Sequence, residues 1–194
     1  MSHLTNSVLT SATDKAQLIT LLRDSKQRFV GSFAGVTDDQ SRLHPGEGRW
    51  SVLDTVEHLT VAEKGMLKLV TTTRRKKLDN TPNREEAFLR MIPDRSRKME
   101  TPEVGRPKGR FANLNDARAH FESARDEAIR FVEQCCEDLR ATEVIHPHPA
   151  AGVVTTYEML IVMAKHAERH ALQIEEIKSA LSRVSAGGSN WVIW

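Results

Sequence analysis

Residues 155–183 constrain the fold of this chain more than any other stretch, because their apolar side chains recur at helical spacing around two histidines. At about 100° per residue, the apolar positions fall on one narrow arc, which predicts a long helix that buries one face. His166 and His170 lie within that arc, about one helical turn apart, so their rings can converge on one point. The apolar positions are Met159, Met163, Ile174, Ile177 and Leu181.

Two imidazoles on a buried face need partners, because an unpaired buried polar group costs on the order of a few kcal/mol. A shared metal ion satisfies both at once, and the alternative is a pair of core histidines bonded to carbonyl groups or water. Glu168 is two residues from each histidine and lies on the opposite side of the helix. It therefore cannot be the general base of an H-E-x-x-H metalloprotease, and that class of enzyme is excluded.

The composition is that of an ordinary globular protein. Of the 194 residues, 39% are hydrophobic and 28% are charged, and the formal net charge of +2 calls for no nucleic-acid partner. No apolar run approaches the length of a membrane span, and residues 1–15 are too polar for a signal peptide. The adjacent Cys135 and Cys136 lack the spacing of a redox or zinc pair, so we interpret them as reduced helix residues. We expect one cytoplasmic domain over residues 1–194 that binds neither nucleic acid nor membrane.

Periodicity predicts three further long helices before residue 155. The first covers residues 14–33 with Thr13 as its N-cap, and the third begins near Asn115. His120, in the third helix, falls off the centre of the apolar face and is expected to be exposed.

The second helix carries another histidine of interest. Ser51 is its predicted N-cap and forms a capping box with Asp54. His58 lies at the edge of the apolar face, where by itself it would be an ordinary boundary residue. Its significance depends on partners supplied by the last helix.

The connections between helices differ in length. Residues 71–113 contain four prolines and only a short helical piece at 85–92, which predicts a long crossover between the second and third helices. In a bundle, such a crossover joins helices that run parallel. Residues 139–154 form a second loop with His146 and His148, which neighbouring prolines hold extended. We expect these two to pack at the entry to the last helix, and a role at the metal site is the alternative.

The end of the chain, residues 187–194, is unusually apolar. Trp191, Val192, Ile193 and Trp194 follow a glycine-rich segment. Apolar side chains left in water at a terminus are unfavourable, so the tail is expected to fold back onto the bundle or to cover the second subunit of a homodimer.

These features together resemble the DinB-like family, also called the DinB/YfiT superfamily, of metal-binding four-helix bundles. The resemblance covers residues 13–181 and implies an all-α, up-down-down-up four-helix bundle with the long crossover between helices two and three. The strongest matches are Trp50-Ser51, His58, and the run His166-Ala-Glu-Arg-His170-Ala-Leu-Gln173-Ile174. Weaker matches are Asp94-Arg95, Pro102-Glu103 and His146-Pro147.

The resemblance also implies a divalent metal, usually zinc, nickel or iron, held by His58, His166 and His170. Three neutral imidazoles leave coordination positions open for water or substrate, as in catalytic sites. Characterised members resemble transferases and isomerases that use a low-molecular-weight thiol: bacillithiol, mycothiol or glutathione. We therefore expect a metal-dependent S-transferase or related hydrolase that acts on a small electrophile. Gln173 is expected either to contact a ligand or to hydrogen-bond within the core.

Three alternatives remain open. The triad can stabilise a non-enzymatic, stress-associated metal-binding bundle, or it can be a core histidine cluster without metal. The iron-binding domain of ergothioneine-pathway sulfoxide synthases resembles H-x-x-x-H-x-E, but Leu172 replaces the glutamate here. No general acid or base is assigned from the sequence.

Overall fold

Four long helices account for nearly all of the helical periodicity in the sequence. The structure is a computed structural model that describes residues 11–97 and 99–187, so the predicted apolar tail at 187–194 lies almost entirely outside the described residues. Two shorter helices and three short strands occupy the connections. The helices are α1 (Ala12–Ser32), α2 (Asp38–Ser41), α3 (Val52–Thr72), α4 (Glu85–Met91), α5 (Leu114–Gln134) and α6 (Thr156–Gly187).

Side-chain caps set where two of the helices begin and correct the sequence prediction. Ser11 caps α1, because its hydroxyl accepts a hydrogen bond from the backbone N–H of Asp14 at 3.0 Å, and Thr13 therefore lies inside the first turn. Asn113 caps α5 through the N–H of Asp116 at 2.8 Å. Both helices start one or two residues earlier than predicted, because more than one candidate cap precedes each apolar run.

The start of α3 confirms the predicted capping box. The Ser51 hydroxyl accepts from the Asp54 N–H at 3.1 Å, and the Asp54 carboxylate accepts from the Ser51 N–H at 2.9 Å. This reciprocal pair fixes the first turn of α3, one turn before His58.

Two apolar clusters show how the helices run. One cluster joins the starts of α1 and α6 to the ends of α3 and α5, and the other joins the opposite ends. Helices α3 and α5 therefore run parallel to each other and antiparallel to α1 and α6, which confirms the up-down-down-up bundle. The first cluster includes Leu18, Leu22, Met66, Val70, Ala128, Val132, Met159 and Met163, and the second includes Phe29, Val56, Leu59, Ala117, Phe121, Ala171 and Ile174.

A small antiparallel sheet, which the sequence did not predict, joins the crossover to the loop before α6. Its strands are β1 (Arg75–Lys76), β2 (Thr142–Ile145) and β3 (Val153–Thr155), in the order β1-β2-β3. Glu143 on β2 is fully buried, and its carboxylate accepts hydrogen bonds from Arg75, the Leu78 N–H and the Thr81 hydroxyl. Strands of two to four residues are too short to show the alternation from which strands are predicted.

The crossover contains the short helix expected at residues 85–92, observed as α4, and a 3₁₀ turn at Glu103–Gly105 that packs on α3. Cys135 and Cys136 follow the end of α5 rather than lying within it, and both are free thiols. None of the described helices combines the length and the apolar character needed to cross a membrane.

Candidate metal centre

Three histidines meet between α3 and α6. His58 lies in the second turn of α3, and His166 and His170 face it from the middle of α6. The Nε2 atom of His166 is 3.4 Å from Nε2 of His58 and 2.9 Å from Nε2 of His170. Among the described residues, these three form the group of histidine, cysteine and acidic side chains compact enough to hold a metal ion. The antiparallel packing of α3 on α6 thus brings together residues 108 positions apart in the chain.

Hydrogen bonds at Nδ1 fix the tautomers of two of these imidazoles. Nδ1 of His58 lies 2.7 Å from the carbonyl oxygen of Gly105, which can only accept, so Nδ1 carries the proton. Nδ1 of His170 lies 2.9 Å from Oε1 of Gln173. The guanidinium of Arg95 also donates to that Oε1, at 3.2 Å, which identifies the atom as the amide oxygen. In the neutral rings of His58 and His170, Nε2 therefore presents a lone pair.

The three Nε2 atoms share too few protons to hydrogen-bond one another. Two lone pairs point at Nε2 of His166, which can donate one hydrogen atom at most. Protonation does not relieve this, because burial lowers the pKa of His58, and burial together with the neighbouring rings lowers the pKa of His166 and His170 well below the ordinary value. A divalent cation would accept a lone pair from each of the three Nε2 atoms. Metal–nitrogen bonds of about 2.1 Å separate neighbouring ligand nitrogens by about 3.0–3.4 Å, so the residues fit such an ion.

The crossover supplies the back wall of the site. A Cβ atom on Gly105 would lie 3.5 Å from Cε1 and Nδ1 of His58 and 3.3 Å from Cγ2 of Thr101, so the missing side chain allows this close approach. The Trp50 ring also packs against His58, with 4.9 Å between ring centroids. Trp50 also lines an open cavity of about 420 Å³ next to the site, together with Asp54, Thr101, Arg106 and Pro107.

Arg169, between the two α6 histidines, holds the crossover in place. Its guanidinium donates to the carbonyl oxygens of Ile92 at 3.2 Å, of Arg97 at 2.6 Å, and of Asp94. Arg169 as a whole residue is 5% exposed, and burial lowers the pKa of its guanidinium. No role was predicted for Arg169, because its three partners are backbone groups that side-chain patterns do not reveal.

Glu57, next to His58, has a similar anchoring role that sequence reasoning missed. Its buried carboxylate accepts from the backbone N–H groups of Lys108 at 2.6 Å and Arg110 at 3.0 Å, and from the Arg110 guanidinium at 2.6 Å. The sequence did carry a signal for this role, because an acidic residue on the apolar side of α3 needs hydrogen-bond donors once it is buried.

The other histidines and Glu168 lie apart from the triad. His146 and His148 are outside the compact group, in the connection between β2 and β3. His120 is exposed, as predicted, with Nδ1 3.0 Å from the Asp116 carbonyl oxygen. Glu168 pairs with Lys165 at 2.7 Å, in agreement with its predicted position away from the histidines. Gln173, expected to bind a ligand or to hydrogen-bond in the core, bonds to His170.

Fold and site together define a helical bundle with a largely buried histidine cluster that could hold a divalent metal. The sequence model of the DinB superfamily matches residues 21–174, and the chain belongs to that superfamily. It is 20% identical over 167 residues to the uncharacterized protein YuaE of Bacillus subtilis (strain 168), an alignment that covers 85% of this chain and 99% of YuaE.

A solved structure shares the fold. The chain is similar to YfiT from Bacillus subtilis, described as a probable metal-dependent hydrolase with an unusual four-helix bundle topology. The TM-score is 0.58 at 17% identity, and the match covers 89% of this chain and 90% of YfiT. The bundle predicted from the sequence is therefore the topology observed in a known member of this structural class.

Proposed function

We propose that this chain is a divalent-metal-dependent enzyme in which His58, His166 and His170 hold the ion. The observation that carries the proposal is the convergence of three Nε2 atoms, from the buried His58 and His170 and the partly buried His166, with too few protons to bond one another. A bound divalent metal would supply Lewis acidity, which lowers the pKa of a water molecule or a thiol at its open positions. The protein contributes three neutral ligands, two of them oriented from Nδ1 by Gly105 and Gln173.

The reaction that fits this arrangement is attack by water or thiolate on a small electrophile. Three uncharged ligands leave the positive charge of a metal available to stabilise an anionic nucleophile. The open cavity of about 420 Å³ beside Trp50 is not lined by the three histidines, and it offers a small molecule an approach to the His58 side of the site. The description of YfiT as a probable metal-dependent hydrolase supports hydrolysis. S-transfer rests on the family resemblance noted from the sequence alone.

Elemental analysis of tag-free protein tests the metal assignment. We expect about one zinc, nickel or iron ion per chain in the wild type, and its loss in His58→Ala and in His166→Ala. His120→Ala removes an exposed histidine and serves as the matched control, which should keep its metal. Wild-type protein that neither contains metal nor takes up added zinc or nickel would contradict the proposal and leave the triad as a core cluster.

A second measurement separates an enzyme from a metal-stabilised bundle. The metal-loaded protein is assayed with activated esters in water, and with bacillithiol, mycothiol or glutathione and a haloaromatic electrophile. Turnover that disappears in His58→Ala and in metal-free protein supports the proposal, and its dependence on thiol separates S-transfer from hydrolysis. A tightly bound metal that raises the unfolding temperature without turnover in either assay favours the non-enzymatic alternative.

A further inference from the structure

The carbonyl group that orients the His58 ring lies in a connection between helices rather than in a helix. Gly105 ends the 3₁₀ turn Glu103–Gly105, and its carbonyl oxygen accepts from Nδ1 of His58 at 2.7 Å. The turn closes through backbone hydrogen bonds from the N–H groups of Gly105, at 2.9 Å, and Arg106, at 3.2 Å. These bonds shape the turn but do not attach it to α3. The contacts that hold the turn on α3 therefore decide where the Gly105 carbonyl group points.

The Arg110 guanidinium contacts the carbonyl groups on both sides of Gly105. Nη1 donates to the Arg106 carbonyl oxygen at 2.9 Å, and Nη2 makes a longer contact of 3.5 Å with the Val104 carbonyl oxygen. Three successive carbonyl groups are thus divided between two side chains, because the outer two bond Arg110 and the middle one bonds His58. A rotation of the turn that moved the Gly105 carbonyl away from His58 would also disturb the contacts with Arg110.

Glu57 attaches this guanidinium and the residues around it to α3. The residue is 2% exposed, and its carboxylate accepts from the Arg110 guanidinium at 2.6 Å and from the backbone N–H groups of Lys108 at 2.6 Å and Arg110 at 3.0 Å. Hydrogen bonds to an ionised group are roughly twice as strong as those between neutral groups. Because Glu57 and His58 are consecutive residues, the anchor of the turn and the ring that the turn orients lie on the same part of α3.

The anchored stretch also forms part of the wall of the cavity beside Trp50. Arg106 and Pro107 line that cavity, and both lie within residues 105–110. One short stretch of the crossover therefore carries the carbonyl group that orients a histidine and a surface that a small molecule can reach. The contacts of Glu57 hold these two features together.

We propose that Glu57 and Arg110 are positioning residues for the metal site, because they hold the Gly105 carbonyl group against Nδ1 of His58. The hydrogen bond at one ring nitrogen decides which of the two nitrogens carries the proton. With the carbonyl group in place, the proton stays on Nδ1 and Nε2 presents its lone pair to a metal. Without it, the tautomer with the proton on Nε2 becomes populated and competes with metal binding. The effect on metal affinity rests on the proposed function, whereas the effect on the tautomer is a property of metal-free protein.

The first test reads the tautomer of His58 in metal-free protein. In protein labelled with ¹⁵N, long-range correlations between ring protons and ring nitrogens distinguish a protonated nitrogen from one with a lone pair. We expect Nδ1 of His58 to be protonated in the wild type. Glu57→Gln and Arg110→Met should shift its signal toward that of an unprotonated nitrogen. His58→Ala removes the signal and thereby assigns it.

The second test is zinc affinity, measured by competition with a chromophoric chelator. Glu57→Gln keeps the size of the side chain but replaces one acceptor oxygen by a donor, and should weaken zinc binding about tenfold. Arg110→Met should have a similar effect. Arg110→Lys keeps the charge beside Glu57, and should bind zinc at least threefold more tightly than Arg110→Met. The matched control is Glu103→Gln, which neutralises an exposed carboxylate on the same turn and should bind zinc like the wild type.

The two readouts separate positioning from a purely structural role. All variants are compared under conditions in which circular dichroism shows them to be folded. The Arg110 side chain is 32% exposed, so Arg110→Met should fold even if Glu57→Gln does not. A wild-type His58 tautomer in the folded variants would overturn the inference, as would unchanged zinc affinity, whatever the free energy of unfolding. A wild-type protein that takes up no zinc would contradict the proposed function, whereas a changed tautomer in both variants would still support the role of Glu57 and Arg110.

Discussion

At the scale of single residues, the site depends on the acceptors at Nδ1 as much as on the imidazoles themselves. Oε1 of Gln173 accepts from His170 and from Arg95, so it holds the ring and its tautomer at once. Acceptors of this kind typically change metal affinity 10–100-fold when they are removed. Gln173 is thus a positioning residue, one contact away from the metal that we propose.

Replacing Gln173 tests this role directly. Gln173→Leu removes the acceptor at similar volume and should weaken zinc binding about 10–100-fold, because the His170 ring loses its fixed tautomer. Gln173→Glu keeps an acceptor for His170 and a partner for Arg95. It should therefore bind zinc more tightly than Gln173→Leu does. Competition with a chromophoric chelator measures both affinities. Equal zinc affinity in wild type and Gln173→Leu would show that the hydrogen bond does not orient the ligand.

Some residues of the site could be predicted from the sequence and others could not, for physical reasons. His166 and His170 follow from helical periodicity, because a spacing of four places two side chains on one face. His58 needed the family resemblance, since the contact between α3 and α6 is tertiary and leaves no local spacing to recognise. The carbonyl of Gly105 was not predicted at all, because every residue has a carbonyl group and only the folded chain shows which one faces a histidine.

At the scale of elements, the crossover between α3 and α5 is held onto the site helix rather than lying free. Arg169 on α6 donates to three backbone carbonyl groups of the crossover. In addition, Arg95 of the crossover forms a two-point ion pair with Glu176 on α6, at 3.1 and 2.7 Å. The helical piece and the length of this crossover were predicted from its prolines and its periodicity. Its attachment was not, because long-range bonds to backbone carbonyls have no sequence signature.

Arg169→Met should release this segment without unfolding the bundle. The variant keeps much of the apolar stem but leaves the carbonyl groups of Ile92, Asp94 and Arg97 without their donor. We expect limited proteolysis to cut residues 92–97 at least tenfold faster than in wild type, because local opening controls the cleavage. Mass spectrometry of the fragments identifies the site of cleavage.

Arg97→Met is the matched control for that experiment. Arg97 is exposed and belongs to the same segment, and only its backbone carbonyl bonds Arg169. The substitution should leave the proteolysis rate close to that of wild type. A rate in Arg169→Met that is no faster than in Arg97→Met would mean that other contacts hold the crossover.

At the scale of the whole molecule, one buried ion pair links all four long helices. Arg125 on α5 donates both Nε and Nη2 to the carboxylate of Glu63 on α3, and both side chains are fully buried. The remaining donors go to the Leu22 carbonyl at 3.0 Å and the Ser25 hydroxyl at 2.6 Å on α1, and to the Met163 carbonyl at 3.0 Å on α6. All five N–H donors of the guanidinium are thereby satisfied.

Such a pair fixes the arrangement of the helices more than it adds stability. Removing two charges from water costs several kcal/mol each, which their attraction roughly offsets when every donor is bonded. Apolar residues alone would allow neighbouring helices to slide by a turn, whereas the Arg125 donors reach their partners in one register only. We infer that the pair helps to align α3 with α6, on which the meeting of the three histidines depends.

The asymmetry between breaking the pair and replacing it tests this view. Arg125→Met leaves Glu63 buried without a partner and should lower the free energy of unfolding by about 3–5 kcal/mol. Arg125→Met combined with Glu63→Leu removes both charges, and should recover most of that loss while zinc affinity stays lower than in wild type. Arg118→Met breaks an exposed pair with Glu122 and should cost less than about 0.5 kcal/mol. Urea unfolding of metal-free protein measures the free energy of unfolding of all three variants, and chelator competition measures the zinc affinity of the double variant. A double variant with full zinc affinity would show that apolar packing alone aligns the site.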